Sequence, residues 1–379
     1  MAVVTKFSRR SGVGIGLALA VIFGVSIIPW SHQQPRAAAD IQISTEQFGR
    51  YFADWSEPEG FFDSDNFISN ETSYLHVVDQ LHQQVKPGGI YIGVGPDQNF
   101  SYIVHTKPSL AIIPDIRRQN ALEHLLFKAL FSMASNRIEY LSLLFSKQAP
   151  SLKVNVPLEN LFEALRSSPS NEGLFRKNLA TIEDLLREQY KLNLTTDDLA
   201  KIEYTYETFW KENLDLRFST IGRNNAMTYP TLGEMLLETD RQGLQQSYLS
   251  SEELFQWMKR FQAENRLIPI VGDFAGSHAF RTVSRFLREN GLHVSAFYTS
   301  NVEFYLFGRA AWSRYVANVH TLPLSEDAVF IRSYFPTYGR NHPLNLPGHR
   351  STSLMQPITP FLDDYDAGGI RTYWDIVKP

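Results

Sequence analysis

The sequence predicts an α/β chain with a doubly wound, mostly parallel sheet and one long helical insertion. Three observations predict it. Short apolar runs at 90–94, 109–114, 267–271, 294–298 and 328–333 read as strands, most of them covered on both faces. Segments with helical spacing at 73–87, 99–105, 117–131, 277–289 and 309–318 flank or separate them, and such alternation implies parallel pairing with helices on both faces. Between 136 and 265 the alternation stops, and Leu-rich helical segments at 137–146, 158–166, 179–190, 196–213 and 251–263 follow one another across polar turns. A strand, a glycine turn, a helix, a second strand and an acid, in that order, make the sheet Rossmann-like. The expected divisions are then 40–135 for the lead-in or lid and first half of the sheet, 136–265 for the insertion and 266–335 for the second half. The remainder, 336–379, is rich in Pro, Tyr and Asp and is expected to pack over the site as loops.

With 379 residues, 43% of them hydrophobic, the chain can bury one large core or two smaller ones. Charged residues are 20% of the total and form no basic stripe with interleaved aromatics, which argues against a disordered arm and against nucleic-acid binding. Cysteine is absent, which excludes thiol catalysis, disulfides and Cys-based zinc sites. None of the ten histidines forms an H-x-x-x-H or H-E-x-x-H pair, and no G-x-S-x-G elbow occurs, so neither a metal site nor a serine hydrolase is expected.

The first 39 residues read differently from the rest. Lys6, Arg9 and Arg10 precede an apolar run from Val13 to Trp30, and a polar stretch then ends in Ala37-Ala38-Ala39. A basic start, an apolar middle and an A-x-A end predict an export signal. The apolar run of 18 residues is also just long enough to span a bilayer, so an uncleaved membrane anchor is the alternative. The basic start keeps the N-terminus inside and sends the body across the membrane. Four basic and no acidic residues lie in this segment, which leaves a body of 32 basic and 40 acidic residues with a net charge of −8. Such a body does not favour anionic membrane surfaces.

The candidate site begins at residues 93–100, GVGPDQNF. Gly93 and Gly95 follow a strand and precede a helix, where glycine permits a tight turn and close approach of a ligand to backbone N–H groups. Gln98 stands where the dinucleotide fingerprint has a third Gly, and Asp97 would repel a diphosphate. Asp97 suits a ligand with an ammonium group, and Asn99 is counted with the ligand contacts. Asp115 ends the second strand twenty residues past Gly95, placed to accept hydrogen bonds from both ribose hydroxyls or to cap the helix that follows. Asp273, after the third strand, is read either as a partner of an adenine amino group or as a helix cap. Ser300 and Asn301 end the fourth strand, on the sheet edge where ligands bind. Glu303 is the candidate general base, or else a polar residue of a surface helix. The lead-in FFDSDNFISNETSY, 61–74, lacks the Gly and terminal Glu of a calcium loop and is read as a lid with Asn66, Ser69, Asn70 and Glu71 facing the ligand, or as a structural cap.

The segments YIGVGPDQNFSYI, DIRRQNALEHLLFKALF and TSNVEFYLF together resemble class I S-adenosylmethionine-dependent methyltransferases in layout. More closely, the chain after residue 45 resembles an uncharacterised bacterial family with a methyltransferase-like fold, found in export-prone and lipoprotein-like forms. The glycine loop, residues 115–131 and Ser300-Asn301 also resemble the betaine-lipid-synthesis family, which transfers a 3-amino-3-carboxypropyl group to diacylglycerol. That family has Asn where this chain has Arg117. The resemblance implies S-adenosylmethionine as cofactor, held by Gly93, Gly95, Asp97, Asp115 and Asp273, with Ser300, Asn301 and Glu303 facing an acceptor, which the betaine-lipid resemblance makes a lipid. The expected function is a transferase acting through Asn301 and Glu303. The alternative is an exported binding protein that keeps the fold without the reaction.

Overall fold

The computed structural model describes residues 41–220, 228–336 and 340–379. Six strands form one sheet in the order β3-β2-β1-β4-β5-β6. They are β1 (Ile90–Ile92), β2 (Leu110–Asp115), β3 (Leu267–Val271), β4 (Val294–Ser300), β5 (Leu324–Tyr334) and β6 (Thr352–Pro357). The first five run parallel, and β6 is antiparallel to β5. The chain is a mixed α/β protein whose mostly parallel sheet is compatible with a Rossmann-like fold. Every residue of β1, β2 and β3 is buried, as the unbroken apolar runs IYI, LAIIPD and LIPIV require of strands covered on both faces.

The order doubles back between β1 and β4. The chain builds outward from β1 through β2 to β3, then returns to the other side of β1 for β4 and β5. Parallel strands fed by right-handed crossovers place their helices on opposite faces in the two halves, which opens a crevice above the carboxyl ends of β1 and β4. Helices Gln98–Thr106 and Arg118–Met133 follow β1 and β2, and Ala279–Glu289 and Ala310–Thr321 lie in the second half.

The segment between Arg118–Met133 and β3 is helical, with helices at Arg137–Leu144, Leu158–Ser167, Glu172–Asp184, Thr196–Glu212, Leu232–Leu237 and Glu252–Ala263. It belongs to the same compact unit as the sheet. Phe131 is stacked on Phe255, and Phe127 meets Phe209 edge to face, so the second-strand helix is covered by the insertion along its length. Arg137, fully buried, donates to the carbonyls of Val154, Val156, Leu249 and Ser250 and so ties three insertion segments together.

The tail departs from expectation. Residues 352–357 form β6, and helices Ile358–Asp366 and Tyr373–Val377 follow, where loops were expected. Strand β5 also starts at Leu324, four residues before the expected 328–333, where it pairs with β4, and it pairs with β6 from Val329 to Tyr334. Ser351, Thr352 and Ser353, in the segment expected as loops on its Pro, Tyr and Asp content, are all buried. Ser73 meets both Ser351 and Ser353 through its hydroxyl, at 2.8 and 3.1 Å. A hydroxyl with a buried partner can enter a sheet interior without the penalty of lost hydration. The expected export or anchor segment 1–39 lies outside the described residues. Among those described, no helix is long and apolar enough to cross a membrane.

Candidate functional site

A cavity of about 550 Å³ lies above the carboxyl ends of the strands, at the point where the order reverses. Its floor is Val94–Pro96 after β1, Asp115–Arg117 after β2, Gly272–Phe274 after β3 and Ser300–Val302 after β4, and its roof is the lead-in from Phe61 to Glu71. Nine residues singled out from the sequence meet there: Asn66, Ser69, Asn70, Glu71, Gly95, Asp115, Asp273, Ser300 and Asn301. Four others, Gly93, Asp97, Asn99 and Glu303, do not line it, and each has a specific partner elsewhere.

The glycine turn is shaped from beneath by Asn99. This fully buried amide donates to the carbonyls of Val94, Gly95 and Pro96 at 2.8–3.1 Å and accepts from the Tyr91 hydroxyl at 2.8 Å. The neutral ring of His124, kept neutral by burial with its pKa near 4, adds a bond from Nε2 to the Gly95 carbonyl. A trans peptide sets its N–H opposite its carbonyl, so pulling Val94 O inward turns the Gly95 N–H to the cavity side. Gly95 sits at φ +81°, a conformation that favours glycine. Gly93 serves packing: a Cβ there would fall 2.0 Å from Asn99 Oδ1 and 2.7 Å from the Tyr91 ring. Gly93 and Asn99 are therefore the supports of the turn, which corrects their assignment as ligand contacts.

Asp97 is also corrected. Its carboxylate is buried on the insertion side and accepts from Tyr248 Oη at 3.1 Å, and burial raises its pKa to about 6. Nearby Ser101 accepts from the Tyr248 N–H at 3.2 Å, so Asp97 and Ser101 together fasten the first helix to the insertion.

After β2, Asp115 lies at the cavity but is already engaged. Its Oδ1 accepts from the backbone N and Nε of Arg117, and its Oδ2 accepts from Nη2, at 2.9–3.1 Å. Arg117 also donates to the carbonyls of Ser64 and Asp65, which clamps the lid to the floor. A carboxylate has about four acceptor positions, so Asp115 keeps one on Oδ2 for a single ribose hydroxyl rather than both. It does not cap the next helix, whose N-cap is Arg117 without a side-chain bond.

After β3, Asp273 lines the cavity, and its Oδ1 accepts from Ala275 N at 2.8 Å in a local turn. The helix Ala279–Glu289 starts at His278, so Asp273 does not cap it. Glu57 from the lead-in takes that part, accepting from the N–H groups of Asp273, His278 and Ala279. Nothing in the local sequence of Glu57 points to this role, because its partners lie more than 210 residues away.

After β4, Ser300 adopts φ +53°, held by a hydrogen bond from its hydroxyl to Glu71. Glu303 is not a cavity base. Its carboxylate is buried against Arg332, which donates from Nε at 2.5 Å and from Nη2 at 2.9 Å, while Tyr315 Oη donates at 2.9 Å. The helix Val302–Leu306 turns this residue inward toward β5, and a buried guanidinium fixes it there.

Glu71 closes the inner end of the lid. It is 2% exposed and lines the cavity, accepting from Gln98 Nε2 at 3.0 Å and from the hydroxyls of Ser300 and Ser333. All three donors are neutral, and no described cation pairs with it. Gln98, the departure from the glycine fingerprint, thus holds a carboxylate where the fingerprint would bring a phosphate close. Of the aromatics in the lead-in, Trp55 is buried against Tyr51 and Phe286, whereas Phe61 and Phe62 stand at the cavity.

Two variants test these placements. Asp97 has a folded pKa above its unfolded value, so the native state holds the proton longer, and stability falls as pH rises from about 3.8 through about 6. Asp97→Asn keeps an acceptor for Tyr248 and removes the charge. It is expected to raise stability at pH 7.5 by roughly 1–3 kcal/mol in denaturant unfolding, with the gain shrinking toward pH 4. A loss of stability at pH 7.5 would contradict the placement. Glu303→Gln leaves Arg332 buried and charged without its partner and is expected to cost about 3–5 kcal/mol. Replacing both, as Glu303→Leu with Arg332→Leu, should recover most of that loss.

No curated protein matches the chain in sequence. Residues 66–359 match the family described as a domain of unknown function, DUF7790. The match starts at Asn66 in the lid and runs through all six strands, so it takes in the whole floor of the cavity and the Glu71 network. Covering well over half of the sequence, it places this chain in the DUF7790 family.

Proposed function

We propose that the cavity binds a cationic amino-nucleoside of the S-adenosylmethionine type, and that the protein is a transferase using it. The observation that carries this reading is Glu71, a buried carboxylate at the cavity wall held only by neutral donors. Burying a charge without a counter-charge is costly, and a ligand ammonium or sulfonium would supply one. A nucleotide phosphate would instead meet Glu71 and Asp273 as like charges, since Asp115 is already paired with Arg117. The sheet order with its final antiparallel strand agrees with a class I methyltransferase-like fold. In this reading the ribose lies against Asp115, the base near Asp273 and the amino-acid end between the Gly95 N–H and Glu71. Sulfonium chemistry supplies the reactivity, and the protein aligns the acceptor, with Asn301 at the cavity wall placed to orient it.

A second reading is binding without turnover, which the engagement of Glu303 by Arg332 favours, as would export away from the cytoplasm by residues 1–39. An anchor role of the same residues and a lipid acceptor belong instead with the transferase reading.

Isothermal titration of the purified protein decides the ligand class. S-adenosylhomocysteine is expected to bind in the micromolar range and ADP not to bind. Glu71→Gln should weaken the former at least about tenfold, the loss of roughly 1.4 kcal/mol of charge pairing. No heat at high micromolar concentration, or a preference for ADP, would overturn the reading.

A further inference from the structure

The cavity lining carries both signs of charge. Glu71 and Asp273 line it without a described cation, Asp115 lines it paired with Arg117, Asp63 follows Phe61 and Phe62 in the lid, and Arg309 lines it as an exposed side chain that forms no side-chain hydrogen bond or ion pair with any described residue. The same cavity has an aromatic lining. Phe62 and Tyr305 meet edge to face with ring centroids 5.0 Å apart, and Phe61, 78% exposed, stands at the same opening. An isolated exposed Phe is ordinary on a protein surface. Here it lines a concave site together with Phe62, Tyr305 and Arg309.

We infer that the rim is a second subsite, which takes a small aromatic carboxylate. Its flat body lies against Phe61, Phe62 and Tyr305, and its anionic group pairs with Arg309. Aromatic rings favour offset or edge-to-face contact with such a wall. A single guanidinium matches one carboxylate through two parallel hydrogen bonds. The carboxylates further in disfavour a group of higher negative charge, which selects a carboxylate over a phosphate. This inference rests on the proposed function for what fills the interior.

The test is a fluorescence titration of the full chain with 2-naphthoate, with and without saturating S-adenosylhomocysteine, and with uncharged 2-naphthamide as control. Saturable naphthoate binding is expected, with the amide at least about tenfold weaker. Arg309→Ala should weaken naphthoate about tenfold without moving the thermal midpoint, because the side chain has no internal partner. Phe61→Ser should weaken both compounds. Absence of naphthoate binding, equal affinity for the amide, or binding indifferent to Arg309→Ala would each overturn the subsite. If naphthoate binds through Arg309 while S-adenosylhomocysteine does not bind, the rim subsite stands and the nucleoside reading falls. If the nucleoside binds and naphthoate does not, the reverse holds.

Discussion

The Asn99 side chain is the constraint on which the site depends. One buried amide satisfies three consecutive carbonyls of the turn after β1 and is itself fixed by Tyr91. That arrangement requires the empty space at Gly93, places Gly95 in its left-handed conformation, and starts the helix Gln98–Thr106 at a defined angle. The helix in turn presents Gln98 to Glu71 on the cavity side and offers Ser101 to Tyr248 on the insertion side. One turn therefore positions the cavity floor, the lid carboxylate and the helical insertion together. Removing the amide would leave three buried carbonyls without a donor, the kind of loss that buried backbone tolerates least.

The acidic residues around this turn divide by what neutralises them. Glu303 is matched by Arg332, Asp115 by Arg117, and Glu57 by the N–H groups at a helix start. Asp97 is held toward its neutral form by burial. Those charges are settled within the fold. Glu71 is different, since neutral donors orient it without cancelling its charge, and it faces the cavity. The proposed ligand class follows from that contrast more than from the number of acids in the site.

Much of this architecture is legible in the sequence. The parallel strands and their order along the chain follow from unbroken apolar runs alternating with helical segments, and the helical insertion follows from Leu-rich periodicity. The acids at the ends of β2 and β3 and the Ser300-Asn301 pair sit where the pattern puts them. What the sequence does not carry is direction and partnership. Asp97 and Glu303 look like site residues because they adjoin site segments. Helix geometry turns the first toward Tyr248 and the second toward Arg332, residues 151 and 29 positions away. Glu57 and β6 were missed for the same reason. Their partners are distant: Glu57 meets N–H groups of Asp273 and His278, and Ser351 and Ser353 meet Ser73. Gln98 was legible only as a missing glycine, and its role as a donor to Glu71 needed the folded chain.

The most direct measurement of the central claim is a crystal structure of the protein with S-adenosylhomocysteine. The account predicts the ligand across the carboxyl ends of β1 and β4, its ammonium within hydrogen-bond distance of Glu71 and its ribose beside Asp115. A ligand bound outside this cavity, or bound within it with the adenine against Glu71, would contradict the account.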